Sequence, residues 1–252
     1  MCDEEATNQS PEGLEESKLL EKIEKWRICR AQLLEKGEGP APTAGEVMAL
    51  FHVIPAGSLT RRVLSHSWSV PEQNKRQIYV SQQATNYFYN AEGFLAVASL
   101  DKNSCAGYTQ LFRSGMLEYA DCNCSGQMGN STESMVFGQP IEQHIVRCYE
   151  NAKQVLQIMG NKEPVYIGLT LIGIANKRFY ATCARPIFTN AMAKPRQNVF
   201  ISPEILADFA SDEPSPYGRT LLPLVNTMWQ VAGLEETRLL ANQEWTPLHE
   251  YY

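Results

Sequence analysis

The sequence predicts an α+β fold: a single, mostly antiparallel sheet with packed helices. Three stretches predict it. Cys105 to Asp121, CAGYTQLFRSGMLEYAD, reads as a β-hairpin, with strand formers on both sides of a Ser114-Gly115 turn. Val165 to Ile174, VYIGLTLIGI, is a near-continuous run rich in β-branched residues, as in a strand covered on both faces. Three helical segments with apolar spacing of three and four residues flank these strands.

In chain order, residues 1–13 form a disordered acidic tail, and 14–252 form a single domain. Leu14 to Lys36 is a helix whose Leu19, Ile23, Trp26, Leu33 and Leu34 share a spacing. Gly37-Glu38-Gly39-Pro40 ends it. Val47 to Ile54 is a strand, and Ser58 caps a short helix through Leu64. Residues 67–86 read as a long irregular loop, and Phe88 to Leu100 as the next strand. In the hairpin that follows, a two-residue turn pairs Phe112 with Leu117, Gln110 with Tyr119 and Leu111 with Glu118. Directly opposed residues share a face. That register groups Tyr108, Gln110, Phe112, Leu117 and Tyr119 on one face, and Leu111, Arg113, Met116 and Glu118 on the other. Arg113 then lies diagonal to Glu118 as a structural cross-strand ion pair.

Cys122 to Ser131 is a Gly/Asn/Ser-rich loop. A helix follows from about Ser134 or Pro140 to Met159, with Gly160-Asn161 as its C-cap. The strand at 165–174 turns back at Ala175-Asn176 into Arg178–Cys183. Phe200–Phe209 is ambiguous between strand and helix. Asp212–Ser215 is a loop, and Tyr217–Ala232 is a helix stopped by Gly233.

Composition narrows the function. Of 252 residues, 44% are hydrophobic and 20% charged, an ordinary globular balance with ample core. The net charge of −6 argues against a dedicated nucleic-acid binder. One stretch departs from that average: 164–203 holds Lys177, Arg178, Arg185, Lys194 and Arg196 and no acid. Lys177-Arg178-Phe179-Tyr180 joins cations to aromatics, a pairing used on single-stranded nucleic acid. Seven cysteines without a regular framework, and an N-terminus with no basic-then-apolar signal pattern, predict reduced thiols and a cytoplasmic protein. The longest apolar run is too short to span a bilayer, so no membrane partner is expected.

No motif fixes a reaction. Cys122-Asn123-Cys124 invites a zinc reading, but no second thiol pair stands at a ligand spacing, so no metal is expected. His52, inside LFHVIP, reads as a hydrogen-bonded core ring, and His144 as a residue bordering the apolar stripe of its helix. Neither follows a serine or cysteine in a nucleophile setting. There is no phosphate loop, and no cofactor is expected.

The hairpin stretch GYTQLFRSGMLEYA resembles a segment of the C-terminal module of bacterial Schlafen/AlbA-type DNA-binding-domain proteins. WRICRAQLLEKGEGPAPTAGEVMALFHVIP, YFYNAEGFL, PVYIGLTLIGIANKRF, FISPEILADF and LLPLVNTMWQVAGLE resemble further segments of that module in the same order. Together they cover about residues 24–245. Two positions depart from the pattern: Glu92 and Asn226 stand where the family carries aspartates. The AlbA-type domain that gives the family its DNA-binding label is missing, and an acidic tail stands in its place. The resemblance brings no catalytic residues. It implies a non-catalytic binding or regulatory module that acts through a protein partner. A weak nucleic-acid or nucleotide binder using the basic 177–196 stretch is the second reading, and an enzyme the third.

Overall fold

The structure, a computed structural model, describes residues 11–60, 78–81, 84–101, 103–127, 132–180, 193–207, 209, 220–237, 240–241 and 244–245. The tail through residue 10, most of the 67–86 loop, the 212–215 loop and Arg185 lie outside them.

The first helix, α1, runs Pro11–Glu35, so Pro11, Glu12 and Gly13 are helical rather than part of the tail. The strands are β1 (Met48–Pro55), β2 (Asn86–Tyr89), β3 (Gly93–Ser99), β4 (Cys105–Phe112), β5 (Leu117–Asp121), β6 (Ser125–Gln127), β7 (Ser134–Phe137), β8 (Val165–Ile172), β9 (Arg178–Tyr180), β10 (Val199–Ile201), β11 (Ile205–Ala207), β12 (Leu240–Ala241) and β13 (Glu244–Trp245). Helix α2 is Gly138–Ile158 and α3 is Leu222–Val231. A 3₁₀ turn over Ala56–Leu59 takes the place of the short helix expected after β1, and residues 61–64 are not described. The ambiguous 200–209 segment holds the two short strands β10 and β11. No helix among the described residues is long and apolar enough to cross a membrane.

The large sheet has eight strands in the order β10-β8-β1-β5-β4-β3-β2, with β11 also on β8. Every pairing in it is antiparallel. β1 and β8 are interior strands with every residue buried, as the apolar VYIGLTLIGI run predicts. A small sheet, β6-β7-β9, pairs β7 and β9 in parallel. The helices end alike. The residue after each terminal glycine bonds five positions back, Glu38 to Leu33, Asn161 to Leu156 and Leu234 to Trp229, which satisfies carbonyls the last turn leaves open.

The sheet has helices on both faces. Ala49, Phe51, Val53, Leu111, Leu117 and Tyr119 face α2 and α3 in the main apolar core. Met48, Leu50, Tyr108 and Ala120 face α1 with Ala31 and Leu34. Ile54, Phe112 and Met116 gather around Ile23 on that same side.

The hairpin register differs from the expected one by one residue. Leu111 opposes Leu117, Gln110 opposes Glu118 and Thr109 opposes Tyr119. The cause is the turn: Phe112 N–H bonds Met116 O and Gly115 N–H bonds Phe112 O, so Arg113-Ser114-Gly115 forms a three-residue loop with Gly115 at φ 93°. A one-residue slip changes which residues share a face. Glu118 therefore joins Gln110 on the α1 side, and Leu117 and Tyr119 join Leu111 on the other.

Candidate functional site

Among the described residues, a dense group of ionisable residues lies between α1 and the sheet. Register places Gly168, His52, Glu118, Gln110, Leu95 and Phe88 in one row across five neighbouring pairings. Helix α1 lays Ile23, Arg27, Arg30 and Leu34 over the sheet, positions spaced four, three and four apart. Arg30 Nε donates to Glu118 at 2.9 and 3.1 Å and its Nη2 donates at 2.9 Å. Its Nη1 reaches Glu92 at 3.2 Å, and its guanidinium lies 5.2 Å from the centre of the Phe112 ring. Tyr108 Oη donates to Glu118 at 2.9 Å, and His52 Nε2 lies 3.2 Å from the same carboxylate. A carboxylate only accepts, so Nε2 carries the His52 proton.

Arg27 is fully buried. It donates to Ser202 O at 2.7 Å, Glu204 at 2.8 Å, Leu169 O at 2.6 Å and Thr170 Oγ1 at 3.2 Å. Its guanidinium lies against Gly168, where a Cβ would come within 2.5 Å of it. Glycine is what lets that charged plane lie on the sheet.

Charge pairing sets the titration. Burial pushes the Glu118 carboxyl up, but the Arg30 charge and the His52 hydrogen bond outweigh it and hold it at about 2. Burial pushes His52 down, so the ring is neutral. Arg30 is raised: burial opposes its charge, and Glu118 more than offsets that. The result is a largely enclosed ion network in which Arg27 Nε and His52 Nδ1 are buried without a hydrogen-bond partner and Glu92 reaches solvent. Glu118 and His52 have no solvent exposure, so a substrate could reach this carboxylate only after α1 had left.

The expected Arg113–Glu118 pair is thus corrected. Arg113 sits in the three-residue loop and donates to Ala91 O at 3.0 Å, tying its own hairpin tip to the β2–β3 tip. Asn90 reinforces that contact, donating to Gln110 at 2.8 Å. Trp26 is half-buried, edge-on to His52 and Phe112 at 5.3 and 5.5 Å, whereas Leu33 is 38% exposed. Sequence reasoning missed Arg27 and Arg30. Their signal was present in their position on the Ile23-to-Leu34 stripe.

A second cluster lies under α2. His144 is buried rather than bordering the stripe, with Cys148 Sγ 3.4 Å from its Nε2. A thiol beside an imidazole invites a nucleophile reading. Burial instead pushes the Cys148 thiol up and the His144 ring down, opposite to a thiolate–imidazolium pair. Nearby, Glu142 accepts from Trp229 Nε1 at 2.5 Å and Thr237 Oγ1 at 2.7 Å, joining α2 to α3.

Cys122 and Cys124 are buried, not placed in a solvent-facing loop. No cluster of three or more His, Cys, Asp or Glu able to hold a metal occurs among the described residues. Of the basic stretch, Lys177 meets Glu46 at 3.2 Å, Arg178 meets Glu133 at 3.9 Å and Lys194 meets Glu133 at 3.4 Å. Arg196 is exposed.

Two of the cavities among the described residues measure about 260 Å³ each. One is lined by Pro55, Ser114, Gly115, Met159, Gly160 and Lys162, and the other by Gly45, Ala106, Cys122, Asn123, Gly126 and Ser134. Neither has a histidine in its lining. Among the described residues, the β2 edge of the sheet exposes three consecutive aromatics. All four residues are exposed, with Tyr87 at 36%, Phe88 at 45% and Tyr89 at 48%. Among the described residues no strand pairs the outer side of β2. Comparison with protein-family models, with curated proteins and with solved structures gave no match to this chain.

Proposed function

We propose that the protein is a non-catalytic binding module that takes an extended segment of a protein partner along the outer edge of β2. The observation that carries this reading is the chemistry of that edge: Asn86-Tyr87-Phe88-Tyr89 holds no charge and no proline, the usual guards against strand pairing, and exposes three aromatics. Strand addition uses such an edge: main-chain bonds give affinity and alternate side-chain pockets give selectivity. Aromatic side chains are also enriched at interfaces.

The interior supports the same reading. Arg27, Arg30, His52 and Glu118 are consumed in holding α1 to the sheet, and the Cys148–His144 pair is neutral and enclosed. The stretches that resemble the Schlafen/AlbA-associated module supply this scaffold: Arg27 and Arg30 in WRICR, His52 in FHVIP, Glu92 in NAEGF, and Gln110, Arg113 and Glu118 in the hairpin. On this reading the resemblance is one of architecture, not of reaction. The nucleic-acid alternative is weaker, because Lys177, Arg178 and Lys194 each face a carboxylate that cancels part of their field.

The test uses wild-type protein and Phe88→Lys as baits in extract of the source cell, with hydrogen exchange measured on the recovered complex. A partner held by wild type and lost at least tenfold by the variant at unchanged thermal stability is expected, with slowed exchange at 86–89. Equal capture by both, or unchanged exchange at 86–89, overturns the assignment. Oligonucleotide binding that persists at physiological salt and collapses in a Lys177→Glu, Arg178→Glu double variant would favour the nucleic-acid reading instead.

A further inference from the structure

Resting on the β2-edge reading, we propose that the segment added to β2 is basic. It carries lysine or arginine at two alternate positions, seated on the Tyr87 and Tyr89 rings, with an apolar residue between them against Phe88. β2 divides its aromatics between two faces. Tyr89 opposes Phe94 and Tyr87 opposes Ala96. Opposed residues share a face, so both tyrosines lie on the side where Phe94 joins the main core. Phe88 opposes Leu95 and lies on the α1 side.

The two tyrosines are braced from beneath. The Phe94 ring is 1% exposed; Tyr87 lies nearly parallel to it, at 6.3 Å and 21°, and Tyr89 lies edge-on, at 5.3 Å and 67°. Rings held against a buried neighbour lose little freedom when a ligand seats on them. A strand added to β2 sets two residues, two positions apart, opposite Tyr87 and Tyr89. The residue between them then falls opposite Phe88.

Ring faces and charge decide what those residues are. The face of a tyrosine ring carries negative potential and attracts an ammonium or guanidinium group. The aliphatic stem of lysine or arginine covers apolar surface while its charged end stays in water. The chain holds 28 acids against 22 bases, a net charge of −6, and that field draws cations and repels an acidic segment. Glu92, its side chain 44% exposed, adds negative charge at the β2–β3 tip, where Arg113 is engaged with Ala91 O. β2 brings no charge of its own, and no described lysine or arginine lies over the Tyr87 ring. A second copy of this chain fits the edge less well, because it brings the same net charge and no cation on its β2.

The experiment titrates the full chain, at physiological salt, with two blocked peptides and follows the amides of residues 86–89 by NMR. One peptide is acetyl-Thr-Val-Lys-Val-Lys-Val-Thr-amide; the other carries norleucine at both lysine positions. The lysine peptide should bind about tenfold more tightly, from two exposed cation–ring contacts. Tyr87→Leu should reduce that preference to about threefold, one such contact, and the Tyr87→Leu, Tyr89→Leu double variant should abolish it. Equal binding of both peptides at 86–89 overturns the basic partner and leaves strand addition standing. A lysine preference that survives in the double variant comes from net charge alone and overturns the seat on the rings. Absence of shifts at 86–89 with either peptide also overturns the inference, and the capture test above then decides the edge reading by itself. Concentration-dependent shifts at 86–89 in the protein alone would assign the edge to a second copy instead.

Discussion

On the α2 side of the large sheet β1 presents Ala49, Phe51 and Val53; on the α1 side the intervening residues are Leu50, His52 and Ile54. The same strands thus dock helices in two ways. Helix α2 buries Ile141, Ile145, Cys148, Ala152 and Val155, and it meets the sheet through a buried contact between neutral groups, Tyr119 Oη donating to Asn151 at 3.0 Å. Helix α1 brings two guanidiniums into the interior and meets Glu118 and Glu204 there. Apolar burial is non-directional and tolerates small slides. An enclosed ion pair gives less net stability, because desolvation offsets much of the attraction, but one partner left alone is costly. A one-turn slide of α1 would strand both arginines, so charge fixes the position of α1 while area holds α2.

The contrast can be broken most sharply at Glu118. Glu118→Gln should cost about 3–5 kcal/mol at neutral pH, since it leaves the enclosed Arg30 only the half-exposed Glu92 as a counter-charge. Urea unfolding measures this. The carboxyl is held at about 2 against an ordinary 4.5, so its contribution is complete above about 4.5 and is lost as pH falls towards 2. The variant should therefore show a flatter loss of stability over that window. A wild-type-like acid limb in Glu118→Gln would remove the charge-docking account.

Gly168→Ala tests the seat beneath Arg27. The added methyl must displace a guanidinium held by several hydrogen bonds, and about 1–3 kcal/mol of destabilisation is expected from thermal or urea unfolding. On the opposite face, Cys148→Ala should cost only about 1 kcal/mol, the scale of a small core deletion. It should leave the acid limb of the stability profile unchanged. A pH-dependent defect there would show that the two faces are not the separate systems described here.

Much of the fold was legible in the sequence. The apolar 165–174 run marked the central strand, Gly160-Asn161 and Gly233 marked helix ends, and the α+β class followed from hairpins between helices. The hairpin register was not legible. Ser-Gly suits a two-residue turn, and only the bonds around Phe112 and Met116 select the three-residue loop. That single residue carried Glu118 away from Arg113 and towards Arg30, so the main polar cluster was misread with it. The α1 face was misread for a related reason. Arginines at interior positions of a helical stripe look like solvated charges until carboxylates distant in sequence meet them. The burial of Cys122 likewise depends on a strand pairing that its Gly- and Asn-rich neighbours do not announce.

The placement of α1 also has a consequence in time. Arg27 precedes its partner Glu204 by 177 residues, and Arg30 precedes Glu118 by 88. At a synthesis rate of roughly 5–20 residues per second, Arg27 waits about 9–35 s for its counter-charge to be made. The helix is thus translated early and seated late. Until β8 and the Ser202–Glu204 segment have emerged from the ribosome, the sheet face that α1 will cover is left open on the nascent chain.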